Sequence, residues 1–232
     1  MIPDAAPGPE RSRPLRADAE RNRERILAAA SELFAERGLT VPLEEVARAA
    51  EVGVATLYRR FPTRTDLAIA VFERNMAAYS DVVDRALAQR SAADGFRQLI
   101  VDLCALQASD PGRRALFTTA FPASSLVERT VSDAVEKVRE LVERAQREGA
   151  VRPDVGVGDV VVMLLANAGV LEATHAHAPG AWRRFAALML DALCGGPDTD
   201  LPPPTPPEDL RRSIAMLTQD ARTQSPTARS TR

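Results

Sequence analysis

The stretch that decides the fold is Ala50-Glu51-Val52-Gly53-Val54-Ala55-Thr56-Leu57-Tyr58-Arg59-Arg60-Phe61, followed directly by Pro62-Thr63-Arg64-Thr65-Asp66-Leu67. Residues 54–61 are predicted to form a helix of about two turns, which is too short to be stable alone. Leu57 and Phe61 lie four residues apart, so both are expected to face a core beneath this helix. The pattern predicts the turn and second helix of a helix-turn-helix.

Helical patterns flank this stretch on both sides. Residues 17–37 carry apolar side chains at helical spacing, and Gly38 is expected at the C′ position of that helix. A second helix is predicted over residues 43–50, with the Thr40 hydroxyl as its cap and Pro42 in its first turn. Thr63 and Asp66 form a T-x-x-D capping box that starts a fourth helix over residues 64–88.

The outer face of the short helix carries side chains suited to reading a DNA groove. Arginine can bind guanine O6 and N7 together or a phosphate, and Tyr58 and Thr56 can reach phosphate oxygens. Arg64, in the first turn of the fourth helix, would complete a phosphate clamp. The candidate DNA-binding residues are Thr40, Gly53, Val54, Ala55, Thr56, Tyr58, Arg59, Arg60 and Arg64.

Six arginines, at positions 11, 13, 16, 21, 23 and 25, follow a Pro- and Ala-rich start. Residues 1–15 are predicted to be a flexible arm whose guanidinium groups could enter a minor groove or pair with phosphates. Asp18, Glu20 and Glu24 are interleaved with the arginines, so a solvated helix face is the equally open alternative.

Composition places the chain among soluble globular proteins. It has 232 residues, 45% of them apolar and 27% charged, with a formal net charge of −2, so any DNA binding must come from a local patch. Cys104 and Cys194 are far apart in apolar runs, which is typical of buried thiols in a reducing cytoplasm. The N-terminus lacks a signal peptide pattern, and the apolar run 160–171 is shorter than a membrane span. The expected location is cytoplasmic, with no membrane partner.

Beyond Arg90 the pattern predicts further helices over residues 92–109, 113–121, 124–148, 158–175 and 181–193, and no strand. The fold class is therefore all-α: an N-terminal three-helix helix-turn-helix DNA-binding domain (residues 16–68) plus a C-terminal helical bundle (residues 69–195). The Pro-rich segment 196–232 is predicted to be mostly disordered, with a short amphipathic helix around Leu210, Ile214 and Leu217.

The helical bundle contains candidates for two kinds of contact. Any ligand pocket in the bundle is expected to be lined by the inward-facing residues Leu99, Leu103, Leu106, Phe117, Phe121, Val135 and Val138, although simple core packing explains each of them as well. Asn167 lies inside an apolar helix, so its amide must find a partner or line a polar cavity. The last two helices expose wide apolar faces, which predicts a homodimer interface at Val161, Leu165, Trp182, Phe185 and Met189.

Residues 22–68 resemble the DNA-binding domain of TetR-family transcriptional regulators, whose signature reads roughly T-x-x-x-I-A-x-x-A-G-V-S-x-G-T-L-Y-x-H-F-x-S-K-x-x-L. After Thr40, the positions that match are Val46, Ala47, Ala50, Val52, Thr56, Leu57, Tyr58, Phe61, Thr63 and Leu67. The departures are Glu51 in place of a turn glycine, Gly53 in place of a serine cap, Ala55 in place of a glycine and Arg64 in place of a lysine. A positive φ at Glu51 would cost about 1 kcal/mol.

The resemblance implies that the helical bundle of residues 69–195 is an effector-binding and dimerisation domain. The protein is then expected to be a dimeric repressor that binds a palindromic double-stranded DNA operator and is released by a small, largely apolar effector. The alternative is a small-molecule-binding or interaction module whose helix-turn-helix is degenerate. An enzyme is not expected: Glu172 and His175 form a single E-x-x-H, whereas di-iron bundles use two copies and further glutamates. No cofactor or metal is predicted.

Overall fold

The computed structural model describes residues 12–115, 121–122 and 124–195, with side chains from residue 18 onward. Every regular element in these ranges is a helix, in agreement with the predicted all-α class. The helices are α1 (Ser12–Arg37), α2 (Leu43–Ala49), α3 (Val54–Arg60), α4 (Arg64–Leu87), α5 (Ala92–Ser109), α6 (Pro111–Arg114), α7 (Ser125–Arg147), α8 (Val157–Thr174) and α9 (Ala181–Cys194). The predicted tail, residues 196–232, lies outside the described residues.

Two helix starts differ from the predictions. Helix α1 begins at Ser12 rather than Ala17, so residues 12–15 are helical and do not belong to a flexible arm. Pro14 does not prevent this, because proline is tolerated in the first turn of a helix. Pro111 and Gly112 lie between the predicted helices 92–109 and 113–121, but the structure places both at the start of α6. The reason is that the Asp110 carboxylate accepts from the Gly112 and Arg113 amides and that proline suits the first helical position.

The first domain is built by α1, α2, α3 and the start of α4 around a closed apolar core. Fifteen buried apolar residues form this core, from Ile26 to Val71, with Leu27, Val46, Leu57 and Leu67 fully buried. Gly38 ends α1 with φ +74°, as predicted for a C′ glycine. The core supports α3 from beneath, so the short helix needs no stability of its own.

The second domain is a larger bundle in which α4 packs against α5 and α7, and α5 packs against α8 and α9. Its core runs from Phe72 on α4 to Ala186 on α9. Helix α8 is long and apolar enough to cross a membrane by length and composition alone, but core helices of soluble proteins pass the same test. Here α8 buries Met163, Leu164 and Asn167 inside the bundle.

A tight seam joins the two domains. Asn75, buried in the middle of α4, donates from Nδ2 to Ser31 Oγ of α1 (3.0 Å) and to the Gly112 carbonyl of α6 (3.3 Å). A Cβ atom on Gly112 would lie 1.8 Å from Ser31 Oγ, so α6 can approach α1 only because residue 112 is glycine. The first core ends at Val71 and the second begins at Phe72, on consecutive residues of one continuous helix.

Candidate nucleic-acid interface

Helix α3 presents one buried and one exposed face, as its sequence predicts. Leu57 is fully buried and Phe61 is nearly so, whereas Val54 and Tyr58 are each 41% exposed. Ala55, Arg59 and Arg60 are also exposed, and Thr56 is half-buried. Within the described part of the chain, Arg59 and Arg60 form no ion pair, so their guanidinium groups remain available for phosphate or base contacts.

Glu44 of α2 is a member of this surface that the sequence pattern did not single out. The Tyr58 hydroxyl donates to Glu44 Oε1 at 3.0 Å. This hydrogen bond to a carboxylate is the main reason that the pKa of Tyr58 is raised, and the positive charge of Arg64 acts in the opposite direction. Glu44 lies in the first turn of α2, and from there it holds the phenol on the exposed face of α3.

The turn between α2 and α3 has the strained backbone expected from its missing glycine. Glu51 has φ 51°, and no other non-glycine residue in the described ranges has a positive φ. Arg25 of α1 donates to the Glu51 carbonyl (3.2 Å) and to its Oε2 (2.9 Å), which fixes both the backbone and the side chain of the turn. Gly53 then takes the N-cap position of α3, also as expected.

The start of α4 confirms the predicted capping box. The Asp66 amide donates to Thr63 Oγ1 (3.1 Å), and Asp66 Oδ2 accepts from the Thr63 amide (3.0 Å). Two backbone donors at this helix start are thereby satisfied, which fixes the direction in which the chain enters α4. Arg64 is exposed in the first turn and has no ion pair among the described residues.

Two predicted contributors are placed differently. Thr40 does not cap α2: Pro42 stands at the N-cap position with no side-chain cap, because its fixed φ of −58° already leads into the helix and its carbonyl accepts from the Glu45 and Val46 amides. Thr40 itself remains exposed beside α2. Of the six arginines near the N-terminus, Arg21, Arg23 and Arg25 pair with Asp18, Glu20 and Glu51; Arg11 lies outside the described residues.

The helical domain buries a second polar cluster, far less satisfied than the seam. Asn167 of α8 donates from Nδ2 to Gln107 Oε1 of α5 (2.7 Å) and to the Cys104 carbonyl (3.5 Å). Asn167 Oδ1, Gln107 Nε2 and Arg113 Nε are buried without a hydrogen-bond partner in the described structure. Asn167 thus has a protein partner, but the sequence had not indicated Gln107 as that partner.

Tyr79 of α4 lies at the edge of this cluster. Its hydroxyl donates to the Arg113 carbonyl at 3.0 Å. Burial is the main cause of its raised pKa, and the adjacent Gln107 amide partly offsets this effect. Burial likewise raises the pKa of the Cys104 thiol to about 12, so this cysteine is a protonated core residue, as its apolar surroundings predicted. The cluster therefore joins α4, α5, α6 and α8.

Comparison with known proteins identifies this arrangement. Residues 26–71 match the family described as bacterial regulatory proteins, tetR family, and residues 66–194 match the family described as transcriptional regulator SbtR-like, C-terminal domain. The second match covers more than half of the chain. The chain belongs to the TetR family of transcriptional regulators. It is thus a DNA-binding transcriptional regulator, and α3 lies within the residues that match the first of these families.

Individual relatives agree with this assignment. An HTH-type transcriptional regulator of Staphylococcus aureus (strain USA300) is 36% identical over 63 residues, which are 27% of this chain and 34% of that protein. The chain thus matches about a third of the length of the curated relatives. A TetR transcription regulatory protein from Mycobacterium vanbaalenii is 31% identical over 78% of this chain and 99% of its own, with a TM-score of 0.51.

Two more distant structures share the fold of this TetR-family regulator. AibR, solved with isovaleryl coenzyme A and operator DNA, is 20% identical over 75% of this chain and 98% of its own, with a TM-score of 0.60. A gamma-butyrolactone receptor (ArpA-like protein) is 18% identical over 90% of this chain and 100% of its own, with a TM-score of 0.58. At these identities the likeness concerns the fold alone.

The structure divides the predicted pocket residues of this TetR-family regulator into two groups. Leu99, Leu103, Val138 and Asn167 are buried in the second core. Leu106, Phe121 and Val135 are half-buried against it, and Phe121 makes an edge contact with Phe72 at 5.3 Å between ring centroids. Phe117 lies outside the described residues. The described members of this set therefore line or fill the core of the bundle.

The predicted interface residues also fall into two groups. Val161, Leu165, Phe185 and Met189 are half-buried on α8 and α9. Trp182 instead faces the inside of the protomer, because it packs into the second core and is only 7% exposed. The most exposed apolar side chains of the two helices are Val162 (46%) and Leu188 (51%), neither of which was among the predicted residues.

Proposed function

We propose that this TetR-family regulator is a repressor that binds a palindromic operator as a homodimer and is released by a small, largely apolar effector. The observation that carries the proposal is the continuity of α4. This helix starts at the exposed Arg64 beside the recognition helix and contains Asn75 at the seam and Tyr79 at the unsatisfied polar cluster. A change at the cluster can therefore move the DNA-binding domain through one rigid element.

Dimerisation is supported by the outer faces of α8 and α9. Val162 and Leu188 expose apolar surface there, together with the small residues Ala166, Gly169, Ala187 and Ala192. A self-complementary patch of this kind suits a two-fold axis. Two recognition helices related by that axis would enter successive major grooves about 34–36 Å apart. The sites proposed for the interface are therefore Val161, Val162, Leu165, Phe185, Leu188 and Met189.

Release requires that the effector prefer a second arrangement of the domains. Shifting operator occupancy from almost full to almost empty needs a preference of about 5.5 kcal/mol. Helix α6 is suited to transmit such a shift because it contacts both neighbouring helices. Gly112 packs against Ser31 of α1, and the Arg113 carbonyl accepts from the Tyr79 hydroxyl of α4. An effector that displaces α6 changes its contacts with α1 and α4 at the same time. The protein is proposed to act in the cytoplasm, where its operator is.

The test is fluorescence anisotropy of labelled DNA from upstream of the protein's own coding region, titrated at two salt concentrations. We expect tight binding that weakens steeply with salt, and a loss of binding of at least tenfold in Tyr58→Ala and Arg60→Ala. Arg129→Ala, an exposed arginine on α7, is the matched control and should bind as the native protein does. Binding no tighter than to a random duplex would refute the proposal.

A further inference from the structure

We infer that the buried Gln107–Asn167 pair receives the polar head of the effector, and that this head is an uncharged group presenting a carbonyl oxygen next to an N–H or O–H. A carboxamide on an apolar body is such a molecule. The inference rests on the proposed effector-dependent function, and it specifies the chemical class of ligand.

The pair leaves one donor and one acceptor open. Both side chains are 0% exposed, and a single bond of 2.7 Å joins Asn167 Nδ2 to Gln107 Oε1. The Gln107 amide acts on the adjacent Tyr79 hydroxyl, which takes at most one of the two Nε2 hydrogens, and Asn167 Oδ1 has no partner within the described ranges. Exchanging the O and N atoms of both amides would again leave one donor and one acceptor, so the count does not depend on amide orientation.

Buried side-chain amides in a protein core are usually fully hydrogen-bonded, so an unsatisfied pair is unusual. A buried polar group without a partner costs about 1–3 kcal/mol, and replacing both partners with apolar side chains can be neutral. The seam amide, Asn75, donates to two partners and accepts from Arg74, whereas the Gln107–Asn167 pair has two open positions. A ligand that donates to one amide and accepts from the other satisfies both positions at once.

The charges around the pair favour a neutral head. Arg113 of α6 acts on Tyr79, as the Gln107 amide does, and its Nε lies 3.7 Å from the Asp110 carboxylate. Asp110 in turn lies 3.8 Å from Arg74, which also pairs with Glu24. Two cations and two carboxylates therefore balance one another, and no net positive charge is left to offset the burial of an acidic ligand.

Apolar side chains lie next to the pair along both helices and would contact the body of such a ligand. Leu103 precedes Gln107 by one turn of α5, and Met163 and Leu171 lie one turn either side of Asn167 on α8; all three are buried. The head would also lie beside Tyr79, whose hydroxyl holds α6 to α4. Ligand binding at the amides is therefore adjacent to the contact that links the bundle to the DNA-binding domain.

The test is isothermal titration calorimetry of the full chain with octanamide, methyl octanoate and octanoate. These probes share one apolar chain, and their heads offer a donor and an acceptor, an acceptor alone, or a negative charge. We expect octanamide to bind at least tenfold more tightly than either of the others. In Gln107→Leu/Asn167→Leu this preference should fall to within twofold, whereas Gln98→Leu, an exposed glutamine of α5, should retain it.

Several outcomes overturn the inference. They are equal binding of the amide and the ester, tighter binding of octanoate, a preference that survives in the double variant, and no binding of any probe at its solubility limit. A crystal structure grown with octanamide in which only a water bridges the two amides also overturns it. The anisotropy titration tests the proposed function separately. If the protein binds its operator but does not prefer octanamide, the inference alone is refuted. If it prefers octanamide but does not bind the operator, the proposed function is refuted.

Discussion

The two domains treat polar groups in opposite ways. The DNA-binding domain exposes its candidate DNA-binding side chains to solvent and supports them on an apolar core. The buried hydroxyl of Ser31 in this domain has a partner, because it accepts from Asn75. The helical domain holds its polar groups inside, and all three unsatisfied buried polar atoms of the described residues belong to it. A surface that binds a charged polymer stays in contact with solvent, whereas a site for a small apolar molecule encloses most of the ligand among apolar side chains and a few polar groups.

The largest effects are expected from removing core support in each domain. Leu57→Ala should lower the free energy of unfolding by about 2–5 kcal/mol, because Leu57 is fully buried beneath the recognition helix, and should weaken operator binding at least tenfold. Leu99→Ala in the bundle should cost a similar amount but leave operator affinity within about twofold. Urea unfolding and anisotropy measure the two quantities. Equal losses of operator affinity would break the distinction between the domains.

An intermediate effect should separate the satisfied amide from the unsatisfied pair. Asn75→Leu removes hydrogen bonds to Ser31 and Gly112 and should cost about 1–3 kcal/mol. Gln107→Leu/Asn167→Leu removes both members of the other cluster and should be neutral or stabilising, since no polar atom of the pair is then left without a partner. Thermal unfolding of the ligand-free protein is the measurement. A double variant less stable than Asn75→Leu would show that the bundle amides are structural.

A smaller effect is expected on the DNA surface. Glu44→Gln removes a negative charge that faces the operator phosphates and should tighten binding about two- to fivefold at low salt, and less at high salt. Glu143→Gln, an exposed carboxylate on α7, should leave affinity unchanged. Weaker binding by Glu44→Gln would instead indicate that the carboxylate accepts from a base, as cytosine N4 permits.

The smallest effect concerns pH. Glu148 accepts from the Ala92 amide (3.0 Å) and the Ala93 amide (2.9 Å) at the start of α5, and these bonds lower its pKa. A lowered folded-state pKa contributes stability above the unfolded value of about 4.3, and that stability is lost as pH falls through the folded-state value. Glu148→Gln should therefore be less sensitive to acid than the native protein between about pH 6 and pH 3. The measurement is the free energy of unfolding in urea at several pH values. Equal losses of this free energy in the two proteins as pH falls would contradict the expectation.

The sequence predicted the DNA-binding domain well because its signals are local. The capping box of Thr63 and Asp66, the C′ glycine Gly38 and the buried pair Leu57 and Phe61 each depend on residues four or fewer positions apart. The strain at Glu51 was also foreseen, because only the turn geometry is needed to predict it.

Contacts between distant segments could not be predicted in the same way. Gln107 lies sixty residues from Asn167, and nothing along the chain marks the two as partners. The Glu44–Tyr58 bond depends on how α2 crosses α3, and Trp182 turned inward because of how α9 meets α5. Thr40 does not cap α2 because the helix begins two residues later than a Thr40 cap requires, with Pro42 at the N-cap position.

The aromatic side chains have a further consequence for optical work. The chain contains two tyrosines and one tryptophan. Tyr58 lies on the recognition helix, Tyr79 lies beside the seam, and Trp182 lies in the bundle with the Arg183 guanidinium 4.7 Å from its ring centroid. The near-ultraviolet absorption of the unlabelled protein therefore comes from one aromatic side chain in the DNA-binding domain, one beside the seam and one in the bundle. Emission excited at the red edge reports the bundle alone, and alkaline titration of the phenols distinguishes the exposed tyrosine from the buried one.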